Sequence, residues 1–170
     1  MDHLKGAAAA ALAMALTSFA AHAGDPEAGL QAFQSQCANC HNVIDDDGEV
    51  IAGRPQVRTG PALYGVIGRQ AGTVDGFRYG ASLVQAGDDG LIWDTENMVP
   101  YLLDPVSFLR ETLDDRRARS QMSFRVRNED TANDIIAFLA QFSEVDEAEE
   151  AEEDAGETEE EAVEAEEDET

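Results

Sequence analysis

The chain has 170 residues, of which 36 are acidic and 11 are basic, and its formal net charge at pH 7 is −25. A chain this negative does not bind nucleic acid through its overall field, because phosphates repel it. The length allows one domain with appendages rather than two full domains, and two cysteines are too few for a disulfide-stapled scaffold.

The acidic residues are unevenly distributed along the chain. Residues 144–170 hold 17 acidic and no basic side chains, whereas residues 24–143 hold 18 acidic and 10 basic ones. A segment so dense in like charges repels itself and has few apolar side chains to bury. We therefore predict one domain over residues 24–143, followed by a disordered acidic tail over 144–170.

The first 23 residues have the pattern of a secretory signal peptide. Residues 6–21 are uncharged and rich in alanine, and Ala21-His22-Ala23 matches an A-x-A cleavage site. The alternative is an uncleaved membrane anchor, but the run is short and alanine-rich for a span of about 20 apolar residues. The pattern predicts export, cleavage near Ala23 and a mature protein outside the cytoplasm.

A helix is predicted to begin directly after the signal. Asp25 is a capping acid, Pro26 suits the first turn, and Glu27 is favourable at the positive end of the helix dipole. Leu30, Phe33, Gln34 and Cys37 continue on one face of this helix.

Residues 37–41 form the motif C-x-x-C-H, which is the attachment signature of c-type haem. The two thiols, three positions apart on a helical turn, can each add to one vinyl group of the porphyrin. The histidine that follows then reaches the iron from the same side, and histidine is a usual axial ligand of haem. The motif predicts covalent haem on Cys37 and Cys40, with His41 as a ligand of the iron.

Three other interpretations of this motif are weaker. A thioredoxin-like C-x-x-C needs a βαβ setting, and no strand pattern precedes Cys37. A zinc site needs a second pair of ligands, but the other histidines, His3 and His22, both belong to the leader. A structural disulfide between the two cysteines remains open in an oxidising compartment.

The sixth ligand of the iron would be a methionine, because no second histidine survives cleavage of the signal. Met98 shares a predicted helical face with Tyr101 and Leu102, which is typical of core packing. Met122 lies in a polar segment without helical periodicity, so it is the better candidate for the sixth ligand. The alternative is that Met122 is a loop residue that covers the core. With both axial sites closed, the iron would transfer electrons rather than bind oxygen or peroxide.

The remaining pattern predicts an all-α domain with long loops. Residues 43–90 are rich in glycine and turn residues and are predicted as loops. A short helix is predicted from Asp104 through Leu113, and a last helix from near Asn128 to about Phe142. A loop-rich domain of this size buries little surface by itself, so we expect the haem to supply part of its core.

From Asp25 to about Phe142 the chain resembles the soluble class I c-type cytochromes, specifically the long bacterial periplasmic cytochrome c2 type. The resemblance extends beyond the haem motif to residues 60–65, 76–79, 91–93, 101–105 and 122–124. It implies the class I cytochrome c fold, in which helices surround one covalently attached haem, and it implies a location in the periplasm. It also implies a contact between the first and last helices, with Gly29 permitting close approach.

The resemblance assigns roles to further residues. It implies that the Pro61 carbonyl orients His41, that Arg69, Tyr79 and Trp93 lie around a haem propionate, that Tyr101 lies beside the ligand sulfur, and that Met122 is the ligand. Tyr101 and Trp93 could instead simply fill the core. Pro100 departs from the family pattern, and we expect it to kink the helix before Tyr101 or to delay its start.

The basic residues of the domain are all arginines, and six of the ten fall within residues 110–127. These are Arg110, Arg116, Arg117, Arg119, Arg125 and Arg127. We infer a dipolar molecule whose positive end, around Met122, orients it toward an acidic partner. The alternative is a solvated loop face whose charges are balanced by local acids.

Three classes of function are compatible with this sequence. The first is a periplasmic one-electron carrier, which is not an enzyme. By resemblance its donor would be a cytochrome bc-type complex and its acceptor a terminal oxidase or a photosynthetic reaction centre. The second is a haem enzyme or sensor with a labile sixth ligand. The third is a docked cytochrome subunit of a larger redox complex.

Overall fold

The computed structural model describes residues 24–143. The predicted signal peptide, with His3 and His22, and the predicted acidic tail lie outside the described residues. Among residues 24–143, no helix is both long and apolar enough to cross a bilayer.

The first helix, α1, spans Pro26–Ala32 and continues as a π-helical segment over Phe33–Cys37. The Asp25 carboxylate accepts hydrogen bonds from the backbone N–H groups of Glu27 and Ala28, so the predicted cap is formed. The π-helical segment ends directly before the loop that carries the rest of the C-x-x-C-H motif. It lies where the sequence predicted regular α-helix.

The predicted loop region, residues 43–90, contains a β-hairpin and a helix that the sequence pattern did not indicate. Strands β1 (Asn42–Ile44) and β2 (Val50–Gly53) form an antiparallel hairpin, with Val43 opposite Ala52. Helix α2 spans Ala81–Asp88. The prediction of loops throughout residues 43–90 was therefore wrong at these positions. The hairpin strands are only three and four residues long, and α2 begins after Gly80 without any side-chain cap.

Helices α3 (Thr95–Leu103) and α4 (Pro105–Thr112) follow, joined at Asp104. The start of α3 is not delayed by Pro100, which lies within the helix. A capping box explains this start: Asp94 accepts a hydrogen bond from the Asn97 N–H, and the Asn97 side chain accepts one from the Asp94 N–H.

Helix α5 spans Glu129–Ala140, is capped by Asn128, and packs across α1. The crossing is close because a Cβ atom at Gly29 would overlap the Asp134 carbonyl oxygen. The rings of Phe33 and Phe138 lie 5.5 Å apart at this contact. The core then continues through the fully buried side chains Val43, Leu109, Ile135 and Leu139. The predicted helical contact and the all-α class are both present, with the small hairpin as an addition.

Candidate haem site

A cavity of about 420 Å³ lies inside this frame and is lined by residues of the π-helical segment and of helices α2, α3 and α5, together with the loops between them. Its volume falls within the range of ordinary ligand pockets. All the site residues predicted from the sequence line it: Cys37, Cys40, His41, Pro61, Arg69, Tyr79, Trp93, Tyr101 and Met122. Residues more than 80 positions apart in the sequence, such as Cys37 and Met122, thus line the same cavity.

The two cysteines line the cavity as free thiols. Burial, with a smaller contribution from Cys40, raises the pKa of the Cys37 thiol to about 11. Thiols of redox-active C-x-x-C motifs have lowered pKa values, so Cys37 does not have the character of a disulfide-exchange nucleophile. Within residues 24–143 no group of three or more His, Cys, Asp or Glu side chains is placed to hold a lone metal ion.

The state of His41 follows from its contacts. Its Nδ1 lies 2.9 Å from the Pro61 carbonyl oxygen. Since a carbonyl only accepts, Nδ1 must carry the proton, and Nε2 keeps the lone pair that a metal ligand needs. Burial lowers the pKa of His41, with the Pro61 hydrogen bond acting in the opposite direction, so the imidazole is neutral at neutral pH.

Gly60 sets the position of the imidazole from the other side. A Cβ atom at this residue would overlap the His41 ring. The Gly60 N–H also donates to the Cys40 carbonyl over 2.7 Å, which ties the loop to the haem motif. The sequence showed Gly60 only as part of a G-P turn, and the steric requirement becomes visible once the loop is folded against His41.

Met122 is held on a loop that helices α2 and α3 anchor. The Ser120 hydroxyl accepts from the Met122 N–H over 3.1 Å, and the Ser82 hydroxyl at α2 accepts from the Arg119 N–H over 3.1 Å. Downstream, the Val126 N–H donates to the Leu102 carbonyl of α3 over 2.9 Å. Met98 of α3 lines the same cavity but is almost fully buried in the core.

Polar donors line another part of the cavity. The Arg69 guanidinium donates to the backbone carbonyls of Tyr64 and Ala62 over 2.9 and 3.1 Å, and within residues 24–143 it has no carboxylate partner. Burial lowers the pKa of Arg69, and electrostatic interaction with Tyr79 acts in the opposite direction. Burial raises the pKa of the Tyr79 phenol, which therefore stays protonated as a donor.

Tyr101 and Trp93 are core residues and cavity residues at once. Trp93 lies with its ring centroid 4.7 Å from that of Tyr101, and Phe108 completes the cluster. Burial raises the pKa of Tyr101, while the Ser120 hydroxyl lowers it by a hydrogen bond. The kink or delay expected from Pro100 does not remove Tyr101 from the cavity.

Sequence reasoning missed most of the apolar wall. The side chains that complete it are Phe33, Leu63, Val66, Leu83, Leu102, Ile135 and Leu139. Of these, Phe33, Ile135 and Leu139 carried a helical periodicity that marks core residues without separating a cavity wall from a packed interior. Leu83 belongs to α2, which was predicted as loop.

These residues fit an iron porphyrin. Two thiols and a neutral imidazole are adjacent in the sequence and share the cavity with a thioether, the walls are apolar, and guanidinium, phenol and indole groups can face acidic substituents. In the bound protein Cys37 and Cys40 would hold the porphyrin edge, and His41 and Met122 would be the donors available to the iron.

No family model matches the chain, but individual relatives do. It is 52% identical over 117 residues to cytochrome c2 of Rhodovulum adriaticum, which covers 69% of this chain and 91% of that protein. It is 47% identical over 136 residues to cytochrome c2 of Cereibacter sphaeroides, covering 79% of this chain and 92% of the relative.

Solved structures agree with the sequence relatives. The crystal structure of cytochrome c2 from Rhodobacter sphaeroides superposes with a TM-score of 0.67 at 47% identity, covering 71% of this chain and 97% of that one. The chain therefore belongs to the cytochrome c2 family of class I c-type cytochromes, electron-transfer proteins rather than enzymes, whose members carry one covalently attached haem c.

Proposed function

We propose that this protein is a periplasmic one-electron carrier in which Cys37 and Cys40 hold the haem as thioethers and His41 and Met122 are the axial ligands. When bound, the haem supplies reversible one-electron chemistry between ferrous and ferric iron. The observation that carries the proposal is the hydrogen bond between His41 Nδ1 and the Pro61 carbonyl, in a cavity that Met122 also lines.

The protein's own residues orient the two proposed axial ligands and present polar donors to the porphyrin. The Pro61 carbonyl fixes the tautomer of His41, so no proton has to move when charge changes nearby. The Ser120 hydroxyl holds the backbone at Met122, which keeps the thioether at the cavity. Arg69, Tyr79 and Trp93 would face the acidic substituents of the porphyrin.

We further propose how the chain is processed and which proteins it meets. Residues 1–23 would be removed as a signal peptide, leaving the domain of residues 24–143 and the acidic tail of 144–170. A cytochrome bc-type complex would be the donor and a terminal oxidase or photosynthetic reaction centre the acceptor. All six arginines of residues 110–127, the segment that contains Met122, are exposed, which supports docking of an acidic partner at this segment.

The test is spectroscopic and uses the two methionines as a matched pair. A pyridine haemochrome spectrum of the purified mature protein should show haem with two thioether bonds. The ferric protein should have the near-infrared-edge band of a methionine-ligated haem. That band should vanish in Met122→Ala and persist in Met98→Leu. Loss of the band in Met98→Leu alone would overturn the ligand assignment.

Carbon monoxide separates the carrier from the haem enzyme or sensor. The ferrous wild-type protein should bind it poorly, whereas Met122→Ala should bind it readily. Rapid binding by the wild-type protein would indicate an open sixth site and contradict the carrier function.

A further inference from the structure

The arginine segment, residues 110–127, is largely unpaired within the described part of the chain. All six of its arginines are exposed, and among residues 24–143 only Arg125 has a carboxylate within 4 Å, that of Asp104 at 3.1 Å. The acids of the segment itself, Glu111, Asp114 and Asp115, form no ion pair with these arginines among residues 24–143. Six exposed arginines against three acids leave the segment with a net charge of +3.

The rest of the domain has the opposite charge. Outside the arginine segment, residues 24–143 carry 15 acidic and 4 basic side chains. Residues 144–170 carry 17 acidic side chains and no basic one. A polyanion attached to this domain is repelled by most of its surface and attracted by one segment, so the field of the domain directs it there.

The attachment point allows this contact. The tail follows Ser143, whose hydroxyl accepts a hydrogen bond from the Ile67 N–H over 3.1 Å, just beyond the end of α5. Helix α5 has 12 residues, hence a length of about 18 Å, and it begins directly after the arginine segment. A chain of 27 residues has a root-mean-square span of about 30 Å, and self-repulsion extends it further.

We propose that residues 144–170 bind the arginine segment of their own chain and compete with an acidic redox partner for it. This inference rests on the proposed docking surface. The contact is electrostatic and is therefore weakened by salt, since the Debye length falls from about 30 Å at 0.01 M to about 8 Å at 0.15 M. The tail would thus weaken encounters at low salt and lower the dependence of the exchange rate on ionic strength.

The experiment measures oxidation of the ferrous holoprotein by hexacyanoferrate(III), a small anion that accepts one electron and becomes hexacyanoferrate(II). It compares the mature protein with a variant of equal length in which every tail Glu and Asp is replaced by Gln or Asn. The uncharged tail should raise the rate roughly three- to tenfold at 10 mM ionic strength, and the difference should disappear near 0.5 M.

Two arginine variants show whether the tail acts at the segment or only through net charge. In R116Q/R117Q/R119Q the effect of neutralising the tail should largely disappear, because the net charge of the arginine segment falls from +3 to zero. In the matched control R54Q/R58Q/R78Q, which removes three exposed arginines elsewhere, the effect should persist. An equal tail effect in both triple variants would overturn the inference.

The design also separates this inference from the docking surface itself. If tail neutralisation changes nothing while R116Q/R117Q/R119Q still slows the reaction, the docking surface stands and the tail contact fails. If that triple variant reacts at the wild-type rate with either tail, the docking surface fails as well. A tail effect that grows with protein concentration would mean contact between copies and would overturn binding within one chain.

Discussion

The α1–α5 crossing and the loop that carries Met122 differ in what determines their shape. At the crossing protein packs on protein: the rings of Phe33 and Phe138 are in contact, and Gly29 lies against the backbone of Asp134. The Met122 loop is instead held by a few hydrogen bonds to other elements, and Phe124 beside it is 42% exposed. The crossing is fixed by complementary side chains, whereas the loop depends on what fills the cavity behind it.

The largest effect should come from removing the covalent attachment with Cys37→Ser and Cys40→Ser together. At roughly 24 cal/mol per Å³, an unfilled cavity of this size costs on the order of 10 kcal/mol, comparable to the whole stability of a domain. We expect no haem band on a denaturing gel and no cooperative thermal transition by circular dichroism.

Hydrogen exchange of the same variant would test the difference between the two regions. Amides of α1 and α5 should keep some protection, while those around Met122 should exchange fastest. Equal loss of protection in both regions would mean that the crossing also needs the haem.

The next largest effect is expected at the crossing itself. Gly29→Ala places a Cβ atom against the Asp134 carbonyl and should lower the free energy of unfolding by about 3 kcal/mol, measured with urea. The near-infrared-edge band should not change. Gln31→Ala, on the exposed side of α1, is the control and should stay within about 0.5 kcal/mol of wild type. A Gly29→Ala protein as stable as this control would show that the helices can separate at little cost.

The contrast between locally encoded helices and a loop held by distant contacts also explains how much of the structure the sequence could predict. Helices with a capping residue and an apolar stripe were located to within two residues: α5 was expected to run from near Asn128 to Phe142 and spans Glu129–Ala140. The haem motif was equally clear, because its chemistry requires fixed spacing. Such elements are encoded by neighbouring residues.

What the sequence did not reveal depends on contacts between distant residues. Helix α2 has no capping side chain and contains Gly87, whose Cβ would overlap the Ala71 carbonyl, so packing rather than propensity forms it. The hairpin strands are too short for an alternating pattern to be recognised. The apolar wall could be predicted only as core, since burial against a cofactor and burial against protein select the same side chains.

A smaller effect, confined to the cavity, should follow from Gly60→Ala. The added Cβ would displace the His41 ring and strain its hydrogen bond to Pro61, weakening the proposed axial bond. We expect added imidazole to replace an axial ligand at roughly tenfold lower concentration, measured by optical titration. Gly80→Ala is the control at the same cavity, because its Cβ meets only the Gln121 side chain, at 3.1 Å, which can move. Equal titrations for the two variants would contradict the positioning role of Gly60.

The smallest effect concerns the junction of α3 and α4, where Asp104 anchors the segment that follows Met122. Backbone hydrogen bonding from Ser107 is the main reason that the pKa of the Asp104 carboxyl lies below its ordinary value, and the charge of Arg125 adds to this. The carboxylate therefore stabilises the folded protein above its unfolded-state pKa, and that stabilisation is lost as the pH falls through the folded-state pKa.

Asp104→Asn keeps an oxygen to accept the N–H groups of Val106 and Ser107 but removes the charge. Its Tm should lie slightly below that of wild type at pH 7, and the difference should shrink toward zero as the pH is lowered below 4. Asp46→Asn, in the exposed turn of the hairpin, controls for the loss of one negative charge and should shift Tm less at pH 7. If the Tm difference between wild type and Asp104→Asn instead widened as the pH was lowered, the charge of Asp104 would oppose folding. The junction would then be held by hydrogen bonds alone.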